Sequence, residues 1–265
     1  MQHNHFCTRL LILLFFLNCW VFLPAHAVDS TATVCLQTAK EHPMQYYLSL
    51  PEGWSPTLLW PVLIVIADAS KQYKTNAELF AARRKHLPFI IVAPIIVSNG
   101  SYGYRSPSLY PYTAETWDRI DKEGVCHFDL EGLLQVVKEV IQKYKGEEKA
   151  FLTGFEAGAH LVWAMTFLHP EKLRAVASVA GNYNGRCLDE NEFSHDQAAK
   201  SLPVRSFYGE KDERWYSFLK QQNEDARNLA LKYGYLNVSI VSIPNRGHTP
   251  MADEVINYFY SLYHP

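Results

Sequence analysis

The stretch 151-FLTGFEAGAH-160 decides how this sequence is interpreted. It joins two apolar runs, and Gly154 and Gly158 stand where a Gly-x-Ser-x-Gly turn has its glycines. Such a turn holds a nucleophile between a strand and a helix, and larger residues in place of the glycines would clash with the neighbouring elements. The central position is Glu156, so the turn lacks the serine that usually occupies it.

The composition indicates a globular protein. The chain has 265 residues, of which 48% are hydrophobic, enough for the core of one ordinary domain. The net charge is -2 and no Lys/Arg-rich stripe is present, which argues against a nucleic-acid partner. There is no HExxH or CxxC spacing, so we expect neither a metal nor another cofactor. No pattern specifies an oligomeric state.

The N-terminus has the features of a secretory signal peptide. Arg9 precedes the apolar stretch 10–23, and 25-AHA-27 fits a small-x-small cleavage site. The apolar stretch is short for a membrane span, although a retained anchor is the alternative interpretation. We therefore predict a signal peptide at 1–27, a single domain at 28–265, a secreted or periplasmic location and no stable membrane anchor.

Export would leave three cysteines in the mature chain, at positions 35, 126 and 187. An odd number allows at most one internal disulfide and one free thiol. Cys126 and Cys187 are the expected pair, because both flank loops near the supposed site.

Strand-length apolar runs alternate with helical patterns, which predicts an α/β fold with a mostly parallel sheet flanked by helices on both faces. Strands are expected at 45–51, 61–68, 89–96, 149–154, 173–181, 203–209 and 236–244. Helices are expected at 75–85 with Thr75 as cap, from Asp129 to Tyr144, and at 157–170, 214–233 and 251–262. The polar, aromatic-rich segment 98–117 has no periodicity and is expected to be a long surface loop.

Two further residues complete a catalytic pattern around the turn. Asp212 follows the strand 203–209, and His248 lies in a glycine-containing loop before the last helix. Nucleophile position, acid and histidine follow one another in the chain order of α/β-hydrolases. Singly, each residue is most often an ordinary loop residue, but the three together favour a functional site.

The sequence resembles secreted α/β-hydrolases of the feruloyl-esterase and poly(3-hydroxybutyrate) depolymerase-like group. The resemblance covers nearly the whole predicted mature chain; its matching segments are 49–56, 61–70, 88–100, 154–183, 209–212 and 247–248. It implies an eight-stranded type of sheet with the α/β-hydrolase fold, and a small-molecule or polymer ester as substrate. It also implies His248 as general base, Asp212 as its orienting partner, and an oxyanion hole.

The oxyanion hole would use the backbone N–H of Ala157 and the loop that contains Ala69 and Ser70. Here the chain departs from the family, because 68-DAS-70 replaces the usual His-Gly pair and Glu156 replaces the serine.

Several roles are open for Glu156. A carboxylate can act as a nucleophile, as aspartate does in some enzymes with this fold, but its attack on an ordinary ester would give an anhydride. Glu156 could instead serve as general base for a water molecule. The third alternative is a structural hydrogen bond to His248 in an inactive pseudo-hydrolase that binds a ligand or partner.

Other candidates are less specific. Trp117, together with Tyr102, Tyr104 and Tyr110, could line the cleft or simply pack the loop. Asn182 and Arg186 follow a strand end, where ligands bind in open α/β sheets. His160 is more often a packed histidine than a ligand.

Overall fold

The computed structural model describes residues 33–100 and 105–263. In these described ranges, eight strands form one sheet in the order β1-β2-β4-β3-β5-β6-β7-β8. The strands are β1 (Cys35–Thr38), β2 (Gln45–Ser49), β3 (Val62–Ile66), β4 (Ile90–Pro94), β5 (Ala150–Phe155), β6 (Leu173–Val179), β7 (Val204–Gly209) and β8 (Val238–Ile243). The predicted signal peptide 1–27 lies outside the described residues, as do Tyr102 and Tyr104, so the predictions for them stay predictions.

The sheet is mostly parallel, as expected. The ladders that join β4, β3, β5, β6, β7 and β8 are parallel, and only β1 and β2 run antiparallel to their neighbours. Every residue of β3 and β4 is buried, which is typical of central strands covered on both faces. Strand β1 was not predicted, because this edge strand is largely exposed and carries no apolar pattern.

The helices are α1 (Tyr73–Arg84), α2 (Ala114–Glu123), α3 (Val125–Tyr144), α4 (Ala159–Leu168), α5 (Ala198–Ser201), α6 (Lys220–Lys232) and α7 (Ala252–Tyr263). Alternate residues of β3 point to opposite sides of the sheet. Leu63 and Val65 pack in a cluster with α1 and α7, whereas Ile64 and Ile66 pack in a second cluster with α3, α4 and α6. The predicted α/β layering is therefore confirmed.

Three predicted boundaries were wrong. The segment 98–117 is not a loop to its end, because α2 begins at Ala114, where the Thr113 side chain accepts a hydrogen bond from the Thr116 N–H at 3.3 Å. Helix α3 begins at Val125 rather than at Asp129. Gly124, with φ of 85°, separates it from α2. Thr75 caps nothing, because α1 begins two residues earlier, at Tyr73.

The expected disulfide is confirmed. Cys126 and Cys187 are bonded and join the start of α3 to the segment after β6, while Cys35 is free and exposed. Among the described residues, no helix is both long and apolar enough to cross a membrane.

Candidate active site

The stretch that opened the sequence analysis forms a sharp strand-to-helix turn. Strand β5 ends at Phe155, residues Glu156–Gly158 form one 3-10 turn, and α4 follows directly. Glu156 has φ of +48°, in the left-handed region that a residue with a Cβ seldom adopts. Its carbonyl accepts a hydrogen bond from the N–H of Asn182 at 2.9 Å, which ties the turn to the end of β6.

The two glycines of the turn are required by close backbone approach. A Cβ at Gly158 would lie 2.6 Å from the carbonyl oxygen of Ala67, and one at Gly154 would lie 2.9 Å from the Gly158 carbonyl. Neither backbone neighbour can move without shifting the sheet or the helix. The Gly-x-Glu-x-Gly spacing therefore reflects the packing of a nucleophile elbow, whatever residue stands at its centre.

Asp212 and His248 form a hydrogen-bonded pair. Nδ1 of His248 lies 2.8 Å from Oδ2 of Asp212, whose side chain is completely buried. The other carboxylate oxygen of Asp212 accepts the backbone N–H groups of Arg214 at 3.0 Å and Trp215 at 3.3 Å. The imidazole also packs on the ring of Phe155, with centroids 4.8 Å apart. Asp212 is thus held by backbone, and it in turn orients His248.

Arg214 joins this pair to the elbow. Its Nη1 lies 3.0 Å from Oε1 of Glu156 and 3.3 Å from Nε2 of His248. A guanidinium group only donates hydrogen bonds, so Nε2 of His248 is the acceptor and its Nδ1–H donates to Asp212. Within the described residues, Glu156 and His248 do not form the direct hydrogen bond that we considered. Arg214 lies between them and contacts both. We call Glu156, Asp212, Arg214 and His248 the elbow site.

Arg214 was not predicted as a site residue, although it lies in the segment 209-GEKDERW-215. The family pattern directs attention to Asp212 alone, because an arginine at this position has no role in that pattern. A usable signal was present: Arg214 lies two residues after the acid, at the start of a helical turn, and is the one cation in the segment that follows Asp212.

The positions expected to form an oxyanion hole lie on two elements. Ala157 is buried in the 3-10 turn, and N–H groups at the start of a helix have no acceptor within it. Ala69 and Ser70 are exposed in the loop after β3, where the Ser70 hydroxyl donates to Oδ1 of Asp68 at 2.5 Å. The role of all three in binding an oxyanion stays a prediction.

A buried asparagine, also not identified from the sequence, fixes the loop after β3. Nδ2 of Asn99 donates to the carbonyl oxygens of Ala67 at 3.0 Å and Asp68 at 2.8 Å. Asn99 itself follows β4, so it connects two strand ends at the same edge of the sheet as the elbow. The sequence gave no indication of this contact, because it depends on which strands are neighbours.

Asp129 fixes the segment after β4 in a similar way. Its fully buried carboxylate accepts the N–H groups of Val97 at 2.9 Å and Ser98 at 2.7 Å. Burial raises the pKa of Asp129 to about 7, in spite of these hydrogen bonds. Asp129 is therefore a structural carboxyl group of α3 that titrates near neutrality.

The less specific candidates have defined positions. Trp117 lies on α2, edge-on to Tyr110 at 5.4 Å and under the guanidinium of Arg105 at 4.8 Å. Nη1 of Arg186 donates to the carbonyl oxygens of Ser98 at 2.7 Å and Gly100 at 3.3 Å. His160 is buried in α4, and burial lowers its pKa to about 4. Trp117 and Arg186 thus have packing and bridging contacts of their own.

One group of side chains outside the elbow site has the composition of a metal site. The ligand atoms of Glu123, His127 and Glu131 lie within 4.8 Å of one another. However, the guanidinium of Arg119 donates to Glu123 at 2.9 Å and to Glu131 at 2.8 Å. This arrangement is a surface ion-pair network in which an arginine already neutralises the carboxylates.

No family model and no curated protein sequence matches the chain. Solved structures do. A poly(aspartic acid) hydrolase from Sphingomonas is 12% identical, with a TM-score of 0.61 over 88% of this chain and 97% of the other. A ferulic acid esterase from Anaeromyces mucronatus is 16% identical, with a TM-score of 0.58 over 88% and 90%. An S-formylglutathione hydrolase from Agrobacterium tumefaciens is 11% identical, with a TM-score of 0.57 over 86% and 93%.

The chain has the α/β-hydrolase fold. At these identities the likeness establishes the fold alone. It agrees with the eight-stranded sheet that the resemblance implied. In an α/β-hydrolase the elbow lies at the carboxyl edge of the parallel strands, where Glu156, Asp212 and His248 lie here. What distinguishes this chain is chemical: a carboxylate and an arginine lie where a serine hydroxyl would meet the histidine.

Proposed function

We propose that this protein is a ligand-binding pseudo-hydrolase, an α/β-hydrolase whose elbow site does not form an acyl-enzyme. The observation that carries the proposal is the position of Arg214, whose Nη1 contacts both Oε1 of Glu156 and Nε2 of His248. In a serine esterase the hydroxyl proton is passed to that same histidine nitrogen. Here the lone pair of Nε2 of His248 accepts an N–H of Arg214, and a guanidinium does not give up its proton.

The chemistry of the carboxylate supports the same conclusion. Glu156 is engaged in an ion pair with Arg214, which withdraws electron density from the attacking oxygen. Attack of a carboxylate on an ester would produce an anhydride, which gains nothing over the starting ester. The ligand class that fits the retained elbow and the buried Ala157 position is a small ester-like or carbonyl compound, bound without turnover.

A second candidate function is ester hydrolysis by direct attack of water, with His248 as general base. The intact pair between His248 and Asp212, at 2.8 Å, favours it, because this pair is the part of the machinery that activates a nucleophile. This function requires Arg214 to leave Nε2 of His248, and the exposed side chain of Arg214 has room to do so.

Export is part of the proposal. The apolar stretch 10–23 and the small residues at 25–27 support a cleaved signal peptide. The disulfide between Cys126 and Cys187 supports the same compartment, because disulfides persist in oxidising environments. Mass spectrometry of the protein from an exporting host should find Val28 at the N-terminus. An intact N-terminus there would contradict the proposal for export.

Hydrolysis of short p-nitrophenyl esters separates the two functions. We expect the wild type to remain at the background rate and the double variant Glu156→Ser, Arg214→Ala to gain activity. That activity should disappear when His248→Ala is added. Glu192→Ser, an exposed substitution of the same kind, serves as the control and should stay inactive. Wild-type hydrolysis that His248→Ala abolishes would overturn the pseudo-hydrolase and support water attack.

A further inference from the structure

A cavity of about 300 Å³ lies at the N-terminus of α1 and is separate from the elbow site. The five consecutive residues 71–75 form part of its wall, and Ser108 also lines it. None of its described lining residues is acidic, whereas Lys71 and Lys74 both belong to it. The volume is at the lower end of the range for small-molecule sites. We call it the α1 cavity.

The backbone at this wall offers hydrogen-bond donors. The first hydrogen bond of the helix runs from the N–H of Asn76 to the carbonyl of Gln72, so the N–H groups of residues 73–75 have no acceptor within α1. The Gln72 side chain supplies no cap and donates to the Ser70 carbonyl instead. The first turn also carries no acidic residue. The positive end of this 12-residue helix therefore lies at the cavity without an acidic residue in its first turn or a capping side chain among the described residues.

Lys71 is the second and independent feature. The residue is only 8% exposed. Among the described residues, its ammonium makes one long hydrogen bond, to the Ala69 carbonyl at 3.4 Å, and lies 6.0 Å from the centre of the Tyr110 ring. Among the described residues no carboxylate lies within ion-pair distance of it. The carboxylate of Asp68 interacts electrostatically with Lys71 from further away and accepts a hydrogen bond from the Ser70 hydroxyl. Burial lowers the pKa of Lys71, and the charge of Asp68 acts in the opposite direction. A buried charge is normally paired with an opposite charge. The described residues give this ammonium a carbonyl oxygen and an aromatic ring as neighbours, but no carboxylate in an ion pair.

Lys74 contributes less. It is exposed and already faces Glu78 on the next turn at 3.6 Å. It adds positive potential at the mouth of the cavity but leaves the binding of a ligand to Lys71 and the helix end.

We propose that the α1 cavity binds the anionic group of a small molecule, a phosphate or a carboxylate, between Lys71 and the N-terminal N–H groups of α1. Helix N-termini bind such groups through their N–H donors and their dipole, and a lysine supplies the compensating charge. The proposal is independent of the elbow site, because it uses none of the residues of that site.

The test uses the purified protein with inorganic phosphate, at constant ionic strength set with chloride. Phosphate should raise the thermal midpoint with increasing concentration, as a ligand of the native state does. Lys71→Met keeps the length of the side chain and removes its charge, and should weaken phosphate binding by tenfold or more. Lys200→Met, an exposed lysine of α5, should bind phosphate like the wild type.

Gln72→Asp provides a reciprocal test. An aspartate at the cap position would place a carboxylate on the same N–H groups. This variant should be more stable than the wild type without phosphate and should no longer respond to phosphate. Amide chemical shifts of Lys74 and Thr75 in the wild type should move during the titration, a readout that does not depend on how the variants fold.

Acetate in place of phosphate distinguishes the two sources of the anion. Stabilisation by either salt, lost in Lys71→Met, supports the site and identifies its preferred group. The proposal is overturned if neither salt stabilises the wild type. It is also overturned if the effect is equal in Lys71→Met, or if the amides of α1 do not shift.

Discussion

Nη1 of Arg214 lies 3.0 Å from Oε1 of Glu156, so the centre of the elbow is occupied by an ion pair rather than by a nucleophile and its base. The same nitrogen contacts Nε2 of His248, which links the ion pair to the Asp212–His248 pair. The pseudo-hydrolase proposal rests on this continuous arrangement. The properties of individual positions around it can be tested as follows.

The backbone of Glu156 is strained, and substitution should reveal the strain. Because φ is +48°, glycine at this position would relieve about 1 kcal/mol of backbone strain. Loss of the ion pair with the exposed Arg214 would cost at most about as much. Glu156→Gly should therefore be as stable as the wild type or slightly more so. Valine tolerates this region poorly, and Glu156→Val should lower the free energy of unfolding by about 2 kcal/mol.

Urea unfolding of the two variants beside the wild type measures the difference. If valine and glycine were equally stable at position 156, the left-handed backbone assigned to the elbow would be wrong.

Gly158 should tolerate no side chain. In Gly158→Ala the new Cβ would lie 2.6 Å from the Ala67 carbonyl, and we expect a loss of about 2–4 kcal/mol in the free energy of unfolding. Gly247→Ala is the matched control, because the nearest atom to its Cβ is 4.0 Å away. Thermal unfolding by circular dichroism compares the two. A midpoint for Gly158→Ala equal to that of the control would contradict the close approach of the elbow to β3.

Asp129 should make stability depend on pH. Its pKa is raised to about 7 in the folded protein, well above the value of an unfolded aspartate, so the unfolded state ionises first as pH rises. The contribution of Asp129 is therefore fully present below about pH 4 and is lost as pH rises towards 7, by at most about 1.4 kcal/mol per pH unit.

Urea unfolding at pH 4, 5.5 and 7 should show the wild type losing stability relative to Asp129→Asn over this range. The difference between the two proteins cancels the contributions of His42 and His160. Their lowered pKa values make stability increase with pH in both proteins. A constant difference between the two proteins across this range would show that Asp129 does not titrate there.

The disulfide should stabilise the fold substantially. Cys126 and Cys187 close a loop with a sequence separation of 61, for which the chain-entropy model gives about 4 kcal/mol. The double variant Cys126→Ser, Cys187→Ser should be less stable by roughly this amount in urea unfolding. Cys35→Ser removes an exposed free thiol and should leave stability unchanged. If reduction left the wild type as stable as before, the covalent link would contribute nothing.

The sequence by itself determined the layers of this protein. Continuous apolar runs such as 61–68 predict central strands, and the glycines at 154 and 158, placed between a strand and a helix, predict a tight strand-to-helix turn. Glu156, Asp212 and His248 likewise follow three strands of the sheet in chain order, β5, β7 and β8. These features are local, or they repeat with the period of a strand or helix, and the sequence can therefore report them.

The tertiary structure alone decided the chemistry of the elbow. Arg214 meets Glu156 across 58 residues of sequence, because β5 and the segment after β7 end at the same edge of one sheet. Asn99 and Asp129 hold loops that are distant in sequence for the same reason. No periodicity encodes such meetings. They follow from the order of strands in the sheet. That order places Arg214 beside Glu156, so the elbow without a serine contains an ion pair.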